Sequence, residues 1–547
     1  MEFIKAIEQN FKFMTLEVTK QLEDTMKLLE SPSKALADKI RSRDDYIDNM
    51  KSIIENKNSS YVAACQNLDK KTLNNVWALN TIAHNLEHIA DLAVNITDQT
   101  QYFSDPGSMK RYDYHSFFKK IFDALAITPR AFLTGSISHA LKICNAEHEM
   151  DLLYAIELKN VINELKFSRD AGNLITVIFI FQFAERIGDS LLNIGEAVIS
   201  SVMGEKMKIH QYQALEETIT DEDEKSRVSE FSLESVGETR SGSLIRKVYE
   251  PGNEASASKW VVFKEGNKVK LEKEKENVEA WEKIFPGLPP KIFGYQANGK
   301  SASIIFEYLN GSNMKDVVIN EKNPAVREAL GLTAATLDMA WTRTMKKQPV
   351  HAGYLDQLAS RIGDVFTAHP DFMMHENKIG GLELPSFDQM IKKAGAIEKK
   401  MEAPFTVFIH GDFNVENIIF NREERRINFI DLYRSSYNDY VQDVSVFIVS
   451  NFRMPFFEPA IRRRLNSVIH DFLGFASDFA KRNGDVTFEA RLAMGLIRSF
   501  ITSTRFEFNQ EFAKLMYLRA LYLIEKVISH DGKPWEDFEV HRDVLIY

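Results

Sequence analysis

Leu86 to Ile96 and Ala184 to Ile194 align at an offset of 98 residues, with a glutamate, an aspartate and an asparagine in register. Glu87, Asp91 and Asn95 in the first stretch, and Glu185, Asp189 and Asn193 in the second, stand at i, i+4 and i+8. That spacing puts all three on one face of an α-helix. Self-similarity at a fixed offset means one structural unit built twice. The chain must therefore begin as a tandem of like helical halves. Phe3, Ile4, Ile7, Phe11 and Met14 recur at helical spacing, and similar stripes continue to Ile199. With 15 prolines and 25 glycines in 547 residues, little interrupts long helices. Breaks are expected at Ser31-Pro32-Ser33, Asn56-Lys57-Asn58-Ser59, Ser104-Asp105-Pro106-Gly107 and Thr134-Gly135. The segments between them suit antiparallel bundles. This gives a bundle domain over residues 1–215, with repeats at about 1–104 and 108–215.

The length exceeds one ordinary core, so two or three domains are expected. A net charge of -10 argues against nucleic-acid binding, because phosphate backbones select basic faces. Cys65 and Cys144 are the only cysteines; they imply no disulfide framework, a reducing cytoplasm and small buried residues. The N-terminus lacks the basic flank and apolar core of a signal peptide. The most apolar run, Leu174 to Phe183, is about half a membrane span and reads as a buried core helix.

Between Glu216 and Glu224 stand six acids and no base, the composition of a solvated linker, placed at residues 216–227. The texture then changes. Val228–Val236, Leu244–Glu250, Lys259–Lys264 and Ser303–Leu309 look like strands, with a helix at Lys268–Ile284. From Asn323 helices return, broken by a strand pair at Thr406–Ile409 and Asn428–Ile430. This is the layout of a two-lobed kinase over residues 228–547, with lobes at about 228–310 and 311–547.

Phosphoryl transfer from ATP needs a carboxylate for the acceptor hydroxyl, oxygen ligands for Mg²⁺ and a lysine on the phosphates. Asp412 and Asn417 have the D-x-x-x-x-N spacing of a kinase catalytic loop, and Asp431 comes 14 residues after Asn417. Lys264 ends an alternating strand, and Glu274 is spaced to pair with it. His410-Gly411-Asp412, Asn417, Ile430-Asp431-Leu432-Tyr433, Asn438-Asp439-Tyr440 with Asp443, and Glu307-Tyr308-Leu309 together resemble the aminoglycoside phosphotransferase/choline kinase family. The resemblance implies Asp412 as catalytic base, Asn417 and Asp431 as Mg²⁺ ligands and Lys264 as the phosphate-binding lysine fixed by Glu274. It implies a hinge at Glu307 and Leu309 that contacts adenine. Ser241-Gly242-Ser243 stands where the phosphate loop would be, with Ser243 on ATP. The acceptor is expected on the helical C-lobe, near Glu507, Glu511 or Asp439.

The four duplicated carboxylates border apolar helix faces. They repel one another unless protonated or bound to a cation; partners such as Arg186 are the alternative. Phe183-Ala184-Glu185-Arg186-Ile187-Gly188-Asp189 with Asn193-Ile194 resembles the PhoU family of phosphate-uptake regulators, which consist of two three-helix bundles each carrying E-x-x-x-D. The resemblance implies iron or zinc held by Glu87, Asp91, Glu185 and Asp189, with Asp48 and Asp151 as further acidic ligands. His84 and His88 are also i, i+4 but more often line a helix surface.

The expected fold is thus multidomain, an all-α double three-helix bundle followed by an α+β two-lobed kinase-like fold. The expected function is an ATP- and Mg²⁺-dependent kinase of a small hydroxyl-bearing metabolite, coupled to a metal-binding bundle linked to phosphate sensing. Its expected partners are the acceptor, a phosphate transporter or sensor protein, and a second copy in a homodimer. The alternatives are an ATP-binding signalling adaptor with little turnover and an antibiotic-modifying phosphotransferase.

Overall fold

The computed structural model describes residues 2–65, 68–168, 170–219, 232–235, 244–249 and 261–547. The chain forms two compact units. One comprises Met1–Glu265 with Phe293–Gln296 and Ser303–Ile305; the other comprises Gly266–Ile292, Ala297–Ala302 and Phe306–Tyr547.

The first unit opens with α1 (Glu2–Glu30), α2 (Lys34–Ala64) and α3 (Lys70–Gln99), and repeats the pattern in α4 (Tyr114–Thr134), α5 (Ile137–Leu165) and α6 (Ala171–Met203). Local chemistry sets the ends. Asp69, Asp113 and Ser136 accept backbone N–H bonds at the starts of α3, α4 and α5, satisfying donors that the helix itself cannot. Gly135 closes α4 in the left-handed region, at φ 61°. The expected break at Asn56–Ser59 is corrected: α2 runs through it and stops only at Cys65. Asn58 is fully buried and donates to Asn80 Oδ1, so tertiary pairing overrides the weak helix propensity of that polar run. Cys144 is buried as expected, whereas Cys65 is half-buried.

The duplicated motifs lie on α3 and α6, whose apolar neighbours fill the core. Ile82, Leu86, Ile89, Ala93 and Ile96, with Ile187, Leu191 and Ile194, are wholly buried. Each large side chain so buried contributes about 1.5–3 kcal/mol of transfer energy. At Gly195 a side chain would collide with Cys144 Sγ and lie 2.9 Å from the Ala140 carbonyl; the glycine is what lets α6 close on α5.

A short helix, α7 (Ile209–Thr218), comes next. The solvated-linker expectation fails over its first residues, since Thr218 and Ile219 are buried. The Thr218 hydroxyl lies 2.6 Å from that of Ser303. A side chain at Gly294 would meet the Thr218 carbonyl, so the glycine admits the end of α7. The rest of the expected linker, 220–227, lies outside the described residues.

Strands β1 (Ser232–Ser235), β2 (Leu244–Tyr249), β3 (Val261–Asn267), β4 (Ile292–Asn298) and β5 (Ser301–Glu307) form a sheet ordered β1-β2-β3-β5-β4. The sequence reading missed β4, although Asn298-Gly299 is a strong hairpin signal. Val248, Phe263 and Ile305 join the bundle core.

The second unit begins with α8 (Lys268–Ile284), which matches the expected helix. It continues through β6 (Ser312–Asn313), α9 (Met314–Asn320), α10 (Asn323–Thr344), α11 (Tyr354–Ala359), α12 (Ile362–Ala368), the hairpin β7 (Asn377–Ile379) and β8 (Leu382–Leu384), and α13 (Phe387–Glu398). Then come β9 (Val407–Ile409), β10 (Ile418–Asn421), β11 (Arg426–Phe429) and β12 (Ser436–Asn438), and after them α14 (Val441–Phe452), α15 (Pro459–Arg482), α16 (Phe488–Thr504) and α17 (Gln510–His530). The expected strand pair is corrected. β11 pairs with β10, and β9 with β12, because two tight turns separate the strands that the motif had seemed to join. No helix among the described residues is long and apolar enough to cross a membrane.

Two glycines test the packing. Gly195→Val should cost about 3 kcal/mol through overpacking at the α5–α6 contact. Gly331→Ala, in the interior of α10 with open space around it, should stabilise by about 0.5–1 kcal/mol. Urea denaturation monitored by circular dichroism measures both, and a neutral Gly195→Val would contradict the close-approach account.

Candidate functional site

His410 to Asn417 connect β9 to β10, so this loop is held at both ends by strands. His410 is fully buried. Its Nε2 lies 3.0 Å from the Ile430 carbonyl, and its Nδ1 accepts the Asp412 N–H at 3.3 Å. That pair of partners requires a proton on Nε2 only, and burial holds the ring's pKa below its usual value. The neutral imidazole thus ties the start of the loop to the strand that ends at Asp431. Phe413 is wholly buried, with ring centroids 5.2 Å from Phe429 and 5.9 Å from Phe447. It anchors the loop so that Asp412, with 23% of its side chain exposed, stays at the surface.

Two features bend the chain at Gly411. The residue has φ 83°, and a side chain would collide with the Arg434 carbonyl. Both conditions demand glycine. The fully buried Asp443, in the first turn of α14, accepts the amides of His410 and Gly411, each at 2.8 Å. Burial pushes the Asp443 carboxyl up to about 7, against the opposing pull of those two amides.

Asn417 and Asp431 flank the β10–β11 hairpin. The Asn417 side chain donates to the Asp412 carbonyl at 3.0 Å, and its own carbonyl receives the Ile430 N–H at 3.0 Å. Asp431 is left-handed at φ 60°, a conformation that aspartate tolerates better than most residues. Helix α8 fixes the segment after Asp431. Asn277 donates to the Leu432 carbonyl at 2.8 Å, and Trp281 Nε1 to Ser435 Oγ at 2.9 Å. The loop, the hairpin ends and residues 432–435 are thereby one hydrogen-bonded assembly.

The other expected nucleotide residues are spread over both units. Lys264, in the first unit, is buried on β3 opposite Ile245. Glu274, in the second, is buried on α8. The Glu307 N–H donates to the Lys291 carbonyl at 2.8 Å, and Leu309 is half-buried beyond the end of β5. Ser243 lies outside the described residues.

The acceptor candidates fare less well. Asp439 is wholly buried in an ion pair with Arg491 and accepts from the Tyr354 hydroxyl at 3.1 Å, so it is a core group. Glu507 accepts the Asn509 N–H, and Glu511 is exposed. What the sequence reading missed is Arg434, whose Nη1 lies 3.0 Å from Asp412 Oδ2. Its place three residues after Asp431 was the available signal.

In the bundle, the motif acids have two further acidic neighbours that the sequence reading overlooked, Asp44 and Glu147, beside the expected Asp48 and Asp151. Asp44 and Asp48 on α2 match Glu147 and Asp151 on α5, both pairs offset by 103 residues. Burial, then mutual repulsion with Asp189 and Asp151, raises the pKa of Glu185. Burial and Asp151 raise that of Asp189, and Asp44 is pushed up to about 6. Lys51 lies 3.2 Å from Glu87, and His84 3.9 Å. The donors are the hard oxygens that cations prefer. Among the described residues, however, no three His, Cys, Asp or Glu side chains lie close enough to hold one metal ion.

The raised Asp443 pKa has a definite consequence for stability. Its folded value, about 7, exceeds its ordinary 3.8. The folded state therefore binds the extra proton, and this stabilisation, complete below about pH 4, is lost as pH rises through about 7. Asp443→Asn should flatten the fall in unfolding free energy over that window while lowering stability overall. Urea titrations at half-unit pH steps measure it, and an unchanged slope would contradict the assignment.

Residues 11–100 and 117–198 match the PhoU domain, and residues 287–473 match the phosphotransferase enzyme family. A phosphate-specific transport system accessory protein PhoU homolog of Clostridium acetobutylicum is 26% identical over 202 residues, 35% of this chain and 88% of that protein. A homolog of the same description from Borreliella burgdorferi is 27% identical over 219 residues, 38% of this chain and 96% of that one. An ethanolamine kinase of Plasmodium vivax is structurally similar at 14% identity and a TM-score of 0.35, over 54% of this chain and 84% of its own. The chain carries a PhoU domain in its helical N-terminal region and, in its C-terminal region, a domain of the phosphotransferase enzyme family.

Proposed function

We propose that this chain transfers the γ-phosphoryl group of ATP to a hydroxyl of a small metabolite, and that its PhoU half ties this activity to phosphate status. The observation that carries the reading is the junction at Asp412. A partly exposed carboxylate stands at the head of a buried loop, and the same hydrogen bonds that hold it also hold the two ends of the β10–β11 hairpin. Asp412 takes the acceptor's hydroxyl proton as that oxygen bonds to the γ-phosphorus, the bond to the β,γ-bridging oxygen breaks and ADP leaves. The Asn417 amide nitrogen is spent on the Asp412 carbonyl, so its Oδ1 and the Asp431 carboxylate are the atoms for Mg²⁺. Bound Mg²⁺ supplies charge neutralisation on the phosphates. By motif order, Lys264 serves the phosphates and is fixed by Glu274, Ser243 belongs to the phosphate loop, and Glu307 and Leu309 serve adenine.

Asp412→Asn should lower single-turnover phosphoryl transfer about a thousandfold while ATP still binds. If wild type and variant bind ATP and are equally inert, the chain is a signalling adaptor. An antibiotic-modifying role has no use for the PhoU half.

The bundle acids favour a cation there, since burial and mutual repulsion leave their charged forms unstable; the PhoU resemblance names iron or zinc. Mn²⁺, Fe²⁺ or Zn²⁺ should raise the thermal midpoint of the wild type, and Asp91→Asn with Asp189→Asn should abolish the rise. An equal rise in both proteins would defeat the assignment. The relatives' link to phosphate-specific transport makes a transporter or its sensor the partner to seek, in the cytoplasm where ATP is held. A homodimer is the assembly to test.

A further inference from the structure

Three arginines from elements distant in sequence lie within electrostatic reach of Asp412, and a fourth, Arg505, lies within reach of one of them, Arg361. Arg434 pairs with Asp412 directly. Arg361, at the N-terminus of α12, lies within electrostatic reach of Arg434, Arg505 and Asp412. Arg498, in α16, is within reach of Arg361, Arg434 and Asp412. Arg505 caps the end of α16. Like charges so placed disfavour one another, and burial adds to the cost. Arg498 is pulled down to about 10, by burial first.

Much of the hydrogen-bonding capacity of Arg361, Arg498 and Arg505 is unspent. Arg498 is 5% exposed, and its buried Nε has no hydrogen-bond partner. Its Nη2 reaches only Ser445 Oγ at 3.5 Å, and its guanidinium lies 5.6 Å from the centre of the Tyr354 ring. The Nε of Arg505 is likewise buried without a partner, and its Nη1 lies 3.4 Å from Asp364, a carboxylate 74% exposed. The Arg361 side chain makes no hydrogen bond or ion pair among the described residues. The nearby carboxylates are committed elsewhere. Asp412 is held by Arg434, and Asp443, also within reach of Arg498, is held by two backbone amides.

A buried guanidinium with an open N–H is costly until it meets an acceptor oxygen. Its planar fork matches the oxygens of phosphate and carboxylate. Which side of the site would such an anion occupy? Arg434 is in reach of both Asp412 and Asp431, so it can serve the transferred phosphoryl group. Arg361 and Arg498 are both within electrostatic reach of Asp412. They add positive charge around the carboxylate that, on the reading above, meets the acceptor.

We propose that the acceptor carries a phosphate or carboxylate beside the hydroxyl that is phosphorylated, and that Arg361, Arg498 and Arg505 receive that anion. The inference rests on the reading of Asp412 as the phosphotransfer centre. It excludes amino-alcohols and aminoglycosides as preferred acceptors, because the same field repels a cation.

The test is isothermal titration of the full chain, without nucleotide, against glycerol 3-phosphate, D-glycerate, glycerol and choline. At least one of the two anions should bind, glycerol and choline should not, and added salt should weaken the binding. The anion that binds distinguishes phosphate from carboxylate. Arg361→Gln should weaken that binding about tenfold or more, and Arg361→Lys should recover part of it. Arg361 has no side-chain bond to lose, and thermal melts of the variants check that the fold persists. The proposal is overturned if neither anion binds at tens of millimolar, if choline or glycerol binds as tightly, or if Arg361→Gln and Arg505→Gln both leave binding unchanged. A parallel titration with Mg²⁺ and a non-hydrolysable ATP analogue separates the two readings: anion binding without nucleotide binding would sink the kinase reading and leave this pocket standing.

Discussion

The loop from His410 to Asn417 depends on one buried carboxylate. Asp443 sits in the first turn of α14 and accepts two successive backbone amides, those of His410 and Gly411. A carboxyl group removed from water costs several kcal/mol unless hydrogen bonds meet it. Conversely, two orphan amides at the end of a strand need an acceptor. Each requirement answers the other, and the result is a fixed origin for the His410–Asn417 loop. From it the His410 ring reaches the Ile430 carbonyl and Gly411 admits the Arg434 carbonyl. Asp412 and Asp431, 19 residues apart in sequence, are thereby held in one network that tolerates little substitution.

Much of the fold was legible in the residues because it rests on local rules. The repeat of Glu87-Asp91-Asn95 as Glu185-Asp189-Asn193 declared two helical halves, and Gly135 marked a helix end by its need for positive φ. Lys268–Ile284 could be delimited because Asn267 caps the helix and Phe285-Pro286-Gly287 ends it. The failures share a cause. Asn58 belongs to a polar run that reads as a turn, yet a partner 22 residues away in α3 keeps it helical. β4 carries Gly294 where a strand would prefer a side chain, because the Thr218 carbonyl needs the space. Such positions answer to a neighbour from another element, which periodicity does not record.

The site divides along the same line. Asp412, Asn417 and Asp431 lie within 20 residues and obey a spacing that chemistry imposes, so their grouping was legible in sequence. The acceptor side was not. Arg361 and Arg505 stand 144 residues apart and share no pattern; packing brings the two within reach of each other, and Arg361 within reach of Asp412. Asp439 misled for the complementary reason. Its place beside the motif suggests an exposed ligand, whereas Arg491 and Tyr354 have drawn it into the core.

Each unit holds partly buried charge of one sign that its own opposite charges offset only in part. In the bundle, Asp44, Glu185 and Asp189 are raised by burial, and the carboxylates around them raise them further. In the kinase unit, Arg361 and Arg498 are lowered by burial and by neighbouring guanidiniums. Folding alone would remove such clusters, since apolar replacements of similar volume pack as well and cost less. Their common remedy is a ligand of opposite charge, whose binding energy then includes the relief of repulsion. That logic assigns cations to the bundle and anions to the face beside Asp412. It also explains why the arginines are several. One guanidinium would suffice to hold Asp412, and a second to meet a transferred phosphoryl group. The remaining positive charge has work only if the acceptor arrives already negative.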